Sequence, residues 1–506
     1  MSPTTTIVLA LTVWTGRVTT INILPDDVLV HIFHFDLVTY FEDVDRMIGS
    51  DTTVSHVPRS GAWERDIRLW HLPWGWCRLA HVCQRWRSVV FASPNFLDLK
   101  LVCGPSTRVE LAGIWPPLPI IIRNTVDFPM PKDYNFGAAI VHHNRVCEIN
   151  LYHLSSSQLL RLASGMQDQF PALIHLMLDF DYHNHPDPAP ALPDGFSAPR
   201  LQSLTLRYIP FPMLPELLLS AADLVELALV GIPHTGYFTP VALVTGLTVS
   251  ANLKSLTIEF KSPLSRPDPE SRRPPPTTRS VLPALTRFYF QGVSEYLEDV
   301  VARINAPLLD SVGIIFFNQL IFDIPQLAQF VGHATKAFNE ARVVFHPYNV
   351  QIESPLWTQS FDERSRLTIL STELDWQLSS LAQVLTSFFP STYIMEHLYI
   401  YGPRYLPVHW PDLDDIEDIQ WLEIFHPFTA VKNLYVCEEF VQCIAFALQE
   451  LVVARVTEVL PALESIFLEE LQSSGPVQEA IGKFVTAREL LGHPVAVSHW
   501  NLLRRF

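Results

Sequence analysis

The sequence predicts an α/β fold, in which a short helical region at the N-terminus precedes an irregular solenoid of parallel strands with helical returns. Two observations lead to this prediction. Residues 21–35 and 76–87 each place apolar side chains at helical spacing. From residue 146 onwards, a pattern with apolar residues at i, i+3 and i+5 recurs, and amphipathic stretches lie between its copies. Short strands that alternate with helices imply a parallel sheet with crossover helices.

The first N-terminal helix is predicted to begin at Pro25, because the first helical turn needs no backbone donor and two aspartates follow to complement the helix dipole. Leu29, Ile32 and Phe33 then form one apolar face. The second segment repeats the helical spacing with Trp76, Leu79, Ala80, Cys83 and Trp86, while Val82 and Val89 widen the stripe. Fewer than about 40 residues rarely make a stable core alone, so these helices are expected to need a partner.

The two segments resemble the two halves of an F-box. That family's motif has Leu-Pro, an aliphatic pair, Ile-Phe and later Val-Cys-x-x-Trp. The matching residues here are Leu24-Pro25, Val28-Leu29, Ile32-Phe33, Val82, Cys83 and Trp86, and Ser93 to Leu97 match the strand start that usually follows. The chain departs from the family in spacing, because residues 36–75 form a much longer connection. Such insertions are tolerated, since loop-closure cost grows slowly with length. The chain resembles F-box proteins of mushroom-forming fungi, which have similar insertions, over most of its length.

The resemblance implies that residues 21–102 bind a Skp-family adaptor protein and, through it, a cullin ubiquitin ligase. The residues that it implies at this interface are Leu24, Pro25, Leu29, Ile32, Phe33, Val82, Cys83 and Trp86. The alternative interpretation is a plain buried helix pair inside a larger α/β domain.

The recurring pattern predicts the strands of the solenoid. Its clear copies are Val146/Ile149/Leu151, Leu173/Leu176/Leu178, Leu201/Leu204/Leu206, Leu224/Leu227/Leu229, Leu253/Leu256/Ile258, Leu285/Phe288/Phe290 and Leu309/Val312/Ile314. Weaker copies are Phe338/Ala341/Val343, Met395/Leu398/Ile400, Val431/Leu434/Val436 and Leu463/Ile466/Leu468. The spacings between the first seven starts are 27, 28, 23, 29, 32 and 24 residues, which is the period of leucine-rich repeats. The repeats are degenerate, because the Asn that this family places at i+8 is replaced by Asp181, Ile209, Ile232 and Lys261.

These observations predict five regions. They are an N-terminal tail at 1–20, the F-box at 21–102 with its insertion at 36–75, a connecting strand and linker region at 103–145, the repeats at 146–475, and a capping helix and strand at 476–506. Trp500 in the cap is expected to pack on the repeat that contains Leu463, Ile466 and Leu468. Residues 262–283 hold seven prolines and are predicted to be a disordered loop that joins neither a ladder nor a helix.

The net charge, the cysteines and the apolar segments limit the classes of ligand and the compartment that we expect for this chain. The formal net charge of −17 argues against nucleic acid or an anionic membrane as the main ligand. Six cysteines without a compact framework indicate a reducing compartment, so the protein is expected in the cytoplasm, the nucleus or both. Ile7 to Trp14 is apolar but too short to span a bilayer and lacks a preceding Lys or Arg, so we predict neither a signal peptide nor a membrane span.

No catalytic, cofactor or metal site is predicted, because the sequence contains no GxSxG, P-loop, HExxH or dinucleotide fingerprint. His183, His185 and Asp187 lack a further ligand for a metal. The acidic run Asp412–Asp418 is interpreted as a solvated face, with a docking patch for a basic partner as the alternative. The expected function is therefore not enzymatic. It is a substrate-recognition subunit of a Skp-cullin-F-box ubiquitin ligase with an unknown target; the alternative is a repeat-based interaction scaffold independent of ubiquitin.

Overall fold

The computed structural model describes residues 24–49, 75–104, 117–124, 136–182, 189–268, 278–319, 321–334, 340–353, 366–388, 395–402, 418–451, 456–469 and 475–500. The chain forms two compact units, Met1–Arg123 and Asn124–Phe506. The second unit therefore begins before the predicted boundary at residue 146. The histidine pair at 183 and 185 and most of the acidic run at 412–418 lie outside the described residues.

The first unit contains three described helices, Asp26–Gly49 (α1), Gly75–Ala80 (α2) and Gln84–Ala92 (α3), and two parallel strands, Leu101–Cys103 (β1) and Ile120–Arg123 (β2). Helix α1 continues well into the predicted insertion. The second predicted helical stripe breaks at residues 81–83, where Cys83 is extended (φ −159°) and its Sγ accepts the Trp86 backbone N–H at 3.4 Å. Cys83 therefore caps a new helix, because an extended residue cannot continue the old one.

This unit has a hydrophobic core of its own. The break between α2 and α3 lets both helices pack against α1. The buried apolar residues are Leu29, Phe33, Leu37, Trp76, Cys77, Leu79, Ala80, Val89, Val90, Leu97, Leu99 and Leu118. Burying a single Leu or Phe side chain contributes about 1.5–3 kcal/mol. The Trp76 indole also donates to the Lys100 carbonyl at 3.1 Å, which ties α2 to the approach of β1.

The second unit is a mixed α/β structure with a large, mostly parallel sheet. Its strands are Val146–Leu154 (β3), His175–Phe180 (β4), Ser203–Arg207 (β5), Glu226–Ile232 (β6), Ser255–Phe260 (β7), Ser280–Val281 (β8), Arg287–Gly292 (β9), Ile304–Asn305 (β10), Ser311–Phe316 (β11), Glu340–His346 (β12), Asn349–Glu353 (β13), Arg366–Leu370 (β14), His397–Tyr401 (β15), Asn433–Val436 (β16), Ser465–Leu468 (β17) and Ala496–His499 (β18). Within this unit the strand order of the main sheet is β3-β4-β5-β6-β7-β9-β11-β14-β13-β12-β15-β16-β17-β18.

The helices between these strands are Gly137–Ile140 (α4), Ser156–Gly165 (α5), Leu214–Ser220 (α6), Pro240–Leu247 (α7), Ser294–Val301 (α8), Pro325–Ala334 (α9), Leu374–Phe388 (α10), Asp418–Phe425 (α11), Glu438–Glu450 (α12) and Pro476–Leu490 (α13). From α6 to α13, each helix packs against the next one in chain order, so they form one layer. This is consistent with a repeat solenoid in which each strand and helix contact their neighbours.

The recurring apolar pattern marks the strands. In β5, Leu204 and Leu206 are buried, and Leu201 is buried just before the strand; the same holds for the corresponding residues of the other copies, except that Phe338 lies outside the described residues. Alternate residues of a strand point to opposite faces of the sheet. The buried residues therefore face the helix layer, and the residues between them form the opposite face, which we call the open face.

The sheet is not parallel throughout, which corrects the prediction. Strand β13 is antiparallel to both of its neighbours, β12 and β14. The physical reason is the short connection between β12 and β13. His346 pairs with Asn349, so only two residues turn the chain, whereas a parallel connection needs a crossover of a dozen or more.

The prediction that the Pro-rich segment joins no ladder is wrong at its C-terminal end. Strand β8 pairs in parallel with β10. The Ser280 N–H donates to the Arg303 carbonyl at 2.7 Å, the Leu282 N–H donates to the Asn305 carbonyl at 2.8 Å, and Leu282 is buried. Pairing is possible here because residues 277–282 contain no proline. Residues 269–277 lie outside the described residues.

The predicted C-terminal helix and strand are both present, and β18 pairs in parallel with β17. Trp500 contacts the predicted repeat, since its backbone N–H donates to the Leu468 carbonyl at 3.0 Å and Phe467 of β17 packs against the same aromatic cluster. The Trp500 ring lies on the open face, against Tyr399, Tyr401 and Tyr435, rather than beside Leu463, Ile466 and Leu468. The reason is the alternation of the strands. Leu434 and Val436 point to the helix layer, so Tyr435 between them points to the open face.

Candidate interaction surfaces

The structure separates the predicted adaptor-binding residues into two groups. Leu29 and Phe33 lie inside the core of the first unit, Cys83 caps α3, and Trp86 packs on Phe33 with ring centroids 4.6 Å apart. Leu29 and Phe33 therefore support the surface from within, while Cys83 and Trp86 are partly buried. Leu24 and Ile32 are likewise partly buried, whereas Pro25 and Val82 are exposed, Val82 with 58% of its surface.

Arg85 is a residue of this surface that the sequence reasoning missed. Its guanidinium pairs with the Asp26 carboxylate at 2.6 Å and also donates to the Leu24 carbonyl. Arg85 therefore connects the start of α3 to the start of α1. Val28 and Val82, both exposed, lie two and three residues from the partners of this ion pair. The signal available in the sequence was an Arg at the start of one helix and an Asp at the start of another.

The open face of the second unit carries one continuous row of register partners. Residues paired directly across strands point to the same face of a sheet. In spatial order the row contains Met177, Thr205, Ala228, Thr257, Tyr289, Gly313, Arg366, Glu353, Arg342, Tyr399, Tyr435, Phe467 and Ser498. Aromatic and charged side chains are frequent in the second half of this row, whereas its first half consists mostly of small residues.

Gly313 shapes the centre of this row. A Cβ atom at Gly313 would lie 2.5 Å from Tyr289 Cδ2, so the Tyr289 ring extends over β11. On the far side of β11 it meets Arg366, with which its hydroxyl shares a hydrogen bond. A side chain at position 313 would displace the ring.

Two carboxyl groups lie on the same face, two residues beyond the row towards the carboxyl ends of β4 and β7. Asp179 is the register partner of Arg207, and Glu259 follows Ile258 on β7. Burial raises the pKa of Asp179, and Arg207 and His153 oppose the rise. Burial likewise raises the pKa of Glu259 to about 7, against the opposing effects of Arg207 and Arg366. The positive charge of the Arg207 guanidinium thus favours the ionised form of both carboxyl groups.

An aromatic pair borders these charges. The Tyr182 and Tyr208 rings are stacked, with centroids 5.4 Å apart, and Lys261 Nζ lies 3.4 Å from the Tyr182 ring centroid. Tyr208 adopts a left-handed backbone conformation (φ 58°). Its ring lies over Gly231, where a Cβ atom would come within 2.4 Å of Tyr208 Cδ1. This geometry needs a glycine at position 231.

A second aromatic group lies at the C-terminal end of the open face. The rings of Tyr399 and Tyr435 are stacked at 4.2 Å, and those of Tyr435 and Phe467 at 4.5 Å. Trp500 covers the tyrosines, and its indole N–H donates to the Val436 carbonyl at 3.2 Å. Because Tyr399 and Tyr435 are buried, this group packs the end of the sheet and offers little surface to a ligand.

The described residues include no group of three or more His, Cys, Asp or Glu arranged to hold a metal ion. Among the same residues, no helix is long and apolar enough to cross a membrane. Among the described residues, the open face does present charged side chains of both signs and exposed tyrosine to a partner.

Replacing Glu259 tests the electrostatics of this face. Folding raises the Glu259 pKa from 4.5 to about 7, so the folded state binds the proton more tightly and this residue lowers stability as pH rises between those values. We expect Glu259→Gln to raise the free energy of unfolding at pH 8 by on the order of 1–3 kcal/mol and to change it little at pH 4.5.

Urea denaturation at the two pH values measures this difference. Glu489→Gln, at an exposed position on α13, is the matched control and is expected to shift stability by less than about 0.5 kcal/mol. An equal effect of Glu259→Gln on stability at both pH values would contradict the raised pKa of Glu259.

No protein-family model matches the chain, and no curated protein matches it. Among solved structures, the leucine-rich repeat-containing protein LegL7 from Legionella pneumophila is similar to it. The two share 12% sequence identity, the similarity covers 76% of this chain and 97% of that chain, and the TM-score is 0.26.

Proposed function

We propose that this chain is a protein-recognition subunit with two binding surfaces. The first unit binds a Skp-family adaptor of a cullin ubiquitin ligase in the cytoplasm or nucleus, and the open face of the second unit holds a target protein. The chain itself contributes proximity rather than chemistry, because a bound target is presented to the ligase at high effective concentration.

The observation that carries this proposal is the open face of the sheet. Protein interfaces are enriched in tyrosine and arginine, which combine large contact area with hydrogen bonding. Tyr182, Tyr208, Tyr289, Arg207 and Arg366 are all partly or well exposed on this face or at its border. A repeat sheet presents such side chains on an extended, rigid surface.

The adaptor-binding part rests on the F-box-like residues of the first unit. Pro25, Val28 and Val82 are exposed apolar residues near the ion pair between Arg85 and Asp26. Single exposed apolar residues are common on protein surfaces, so the docking role proposed for these three comes from their positions in the F-box-like motif. A repeat-based scaffold that is independent of ubiquitin is the second candidate, and it uses the same open face without the adaptor.

Adaptor capture tests the proposal. We expect Val82→Asp to weaken co-purification of the Skp-family adaptor with the full-length chain by at least about tenfold, because a carboxylate at an apolar interface loses its hydration. Val82 is suited to this test because its exposure leaves the core intact, whereas the fully buried Leu29 would unfold the unit when replaced by Asp.

Val141→Asp is the matched control, since Val141 is also an exposed valine and lies in the second unit. It is expected to leave capture unchanged. Full capture by Val82→Asp would exclude this surface as the docking site. No capture by the unaltered chain would favour the scaffold that is independent of ubiquitin.

A further inference from the structure

We propose that Ser262 is phosphorylated by a proline-directed serine/threonine kinase, and that Arg266 and Lys261 hold the resulting phosphate at the border of the open face. Three observations carry this proposal. They are the Ser-Pro sequence, the exposed turn that contains it, and two neighbouring cations without a carboxylate partner. The modification does not depend on the proposed function, because the turn and its charges are the same whatever the open face binds.

Ser262 and Pro263 lie in a turn that directly follows β7. Ser262 is partly exposed, Pro263 is exposed, and 71% of the Leu264 surface reaches solvent, so the turn projects from the sheet. Its backbone hydrogen bonds are local. The Ser265 N–H donates to the Ser262 carbonyl at 3.5 Å, and the Arg266 N–H donates to the Leu264 carbonyl at 2.9 Å. A kinase that opens this turn therefore breaks few contacts, and such local openings cost little free energy.

Pro263 makes this serine suitable for a proline-directed kinase. Proline has no backbone N–H, so it fits a site in which the nitrogen after the serine meets no acceptor. It also favours an extended backbone at Ser262, which is the conformation that a substrate segment needs in a narrow active site. The Ser262 hydroxyl accepts only the Leu264 N–H, at 3.4 Å, so it does not cap a helix.

The other Ser-Pro and Thr-Pro pairs within the described residues fit less well. Ser93 ends α3, and its backbone N–H and carbonyl are both hydrogen-bonded. Thr239 caps the start of α7, where its hydroxyl accepts the Ala242 N–H at 3.2 Å, and Pro240 is buried. Phosphorylation at either place would disrupt the end of a helix. At Ser262 it would not.

Two cations stand beside Ser262. Arg266 Nε donates to the Pro263 carbonyl at 3.1 Å, which turns the guanidinium back towards the start of the turn. The Lys261 ammonium lies 3.4 Å from the centroid of the Tyr182 ring. Neither side chain forms an ion pair with a carboxylate among the residues that the structure describes. Both are therefore available to an anion at position 262.

The kinase supplies ATP as the phosphoryl donor. The Ser262 Oγ attacks the γ-phosphorus, a bond forms between these two atoms, and the bond from the γ-phosphorus to the bridging oxygen breaks, so that ADP leaves. The hydroxyl proton passes to a carboxylate of the kinase and then to water. The product carries close to two negative charges at neutral pH, because the second pKa of a phosphoserine is about 6.

The turn can hold this phosphate. Hydrogen bonds from a guanidinium to phosphate oxygens are short and strong, and only Nε of Arg266 is used by the Pro263 carbonyl. Lys261 has a flexible four-carbon stem, so its ammonium can move from the Tyr182 ring to a phosphate on the next residue. The phosphate therefore adds negative charge beside the aromatic pair that borders the open face.

Phosphorylation of the full-length chain in vitro tests the site. The chain is incubated with a recombinant mitogen-activated protein kinase and ATP, and tandem mass spectrometry measures the phosphate at Ser262. We expect incorporation at Ser262 and its loss in Ser262→Ala. Pro263→Ala keeps the hydroxyl and should slow incorporation by at least about tenfold. Leu264→Ala changes an exposed residue of the same turn and should slow it by less than about twofold.

Phosphorus NMR of the phosphorylated chain tests the two cations. They stabilise the doubly charged phosphate, so its second pKa should be lower in the unaltered chain than in Lys261→Met with Arg266→Met, by about 0.5 unit. Lys254→Met with Arg200→Met removes the same charge from exposed positions outside this turn and should leave that pKa unchanged.

Each result has a counterpart that would overturn the proposal. No phosphate at Ser262, or equal rates for Pro263→Ala and Leu264→Ala, would exclude a proline-directed site. The same second pKa in the two double variants would show that Lys261 and Arg266 do not hold the phosphate. None of these outcomes bears on adaptor capture, so failure of this proposal is distinguishable from failure of the proposed function.

Discussion

Arg488→Met is expected to lower the free energy of unfolding of the C-terminal repeats by about 3–5 kcal/mol. Arg488 lies in the last turn of α13 and is 0% exposed. Its guanidinium donates to the carbonyls of Val456 at 3.1 Å, Pro461 at 3.2 Å and Leu463 at 3.1 Å. One side chain therefore binds three carbonyls of the connection before β17.

The size of the effect follows from what methionine leaves behind. Each buried carbonyl that loses its donor costs about 1–3 kcal/mol. Removing a buried charge offsets part of this loss, because burial disfavours the guanidinium and lowers its pKa. Methionine keeps most of the side-chain volume, so the change reports on hydrogen bonds more than on packing.

Urea denaturation followed by far-UV circular dichroism measures the change, and limited proteolysis shows where unfolding begins. Lys483→Met is the matched control on the same helix. Lys483 is half exposed and pairs with Glu479 at 2.8 Å, and an exposed ion pair of this kind contributes little to stability because water and salt screen it. If Arg488→Met costs no more than Lys483→Met, the three carbonyl contacts contribute nothing to stability.

Trp500→Ala should destabilise the same end of the sheet by about 3–5 kcal/mol. The indole packs on Tyr399, Tyr401 and Tyr435, with ring centroids 5.2–6.0 Å away, and its N–H donates to the Val436 carbonyl. Alanine removes this cover and exposes the stacked tyrosines. Because each repeat is stabilised mainly by its neighbours, the loss is expected to be local to β15–β18.

Near-UV circular dichroism reports on the tyrosine stack, and protease cleavage near the C-terminus reports on local unfolding. Trp376→Ala on α10 is the control, since that side chain is 37% exposed and its removal is expected to cost far less. Equal protease resistance of Trp500→Ala and the unaltered chain would show that Trp500 is not a cap.

The repeating strands were predictable because their signal is local. Each strand faces the helix layer with alternate apolar residues, such as Leu204 and Leu206, and this spacing is visible in a short window. The hairpin between β12 and β13 carries the same alternation, with Val343 and Val350 both buried, so the pattern alone did not reveal strand direction. The two-residue turn between these strands makes them antiparallel.

For the F-box-like motif too, the sequence predicted the apolar helix face, but not whether that face is buried within the unit or presented to a partner. The spacing of Leu29 and Phe33 predicted an apolar helix face, and the structure places that face inside the core of the first unit. Apolar spacing does not distinguish a face buried within a unit from one presented to a partner. The exposed Val82 and the ion pair between Arg85 and Asp26 depend on how α1 and α3 pack.

The sequence by itself determined the strand and helix periods, the amphipathic N-terminal helices and the acidic net charge, because each follows from neighbouring residues or from composition. Only the tertiary structure decided which side chains lie together on the open face. Asp179, Arg207, Glu259 and Arg366 are far apart in the chain, and strand register places them on one side of the sheet, where Arg207 influences both Asp179 and Glu259, and Arg366 influences Glu259. Register is set by long-range pairing, which shifts every side chain to the opposite face when it slips by one residue.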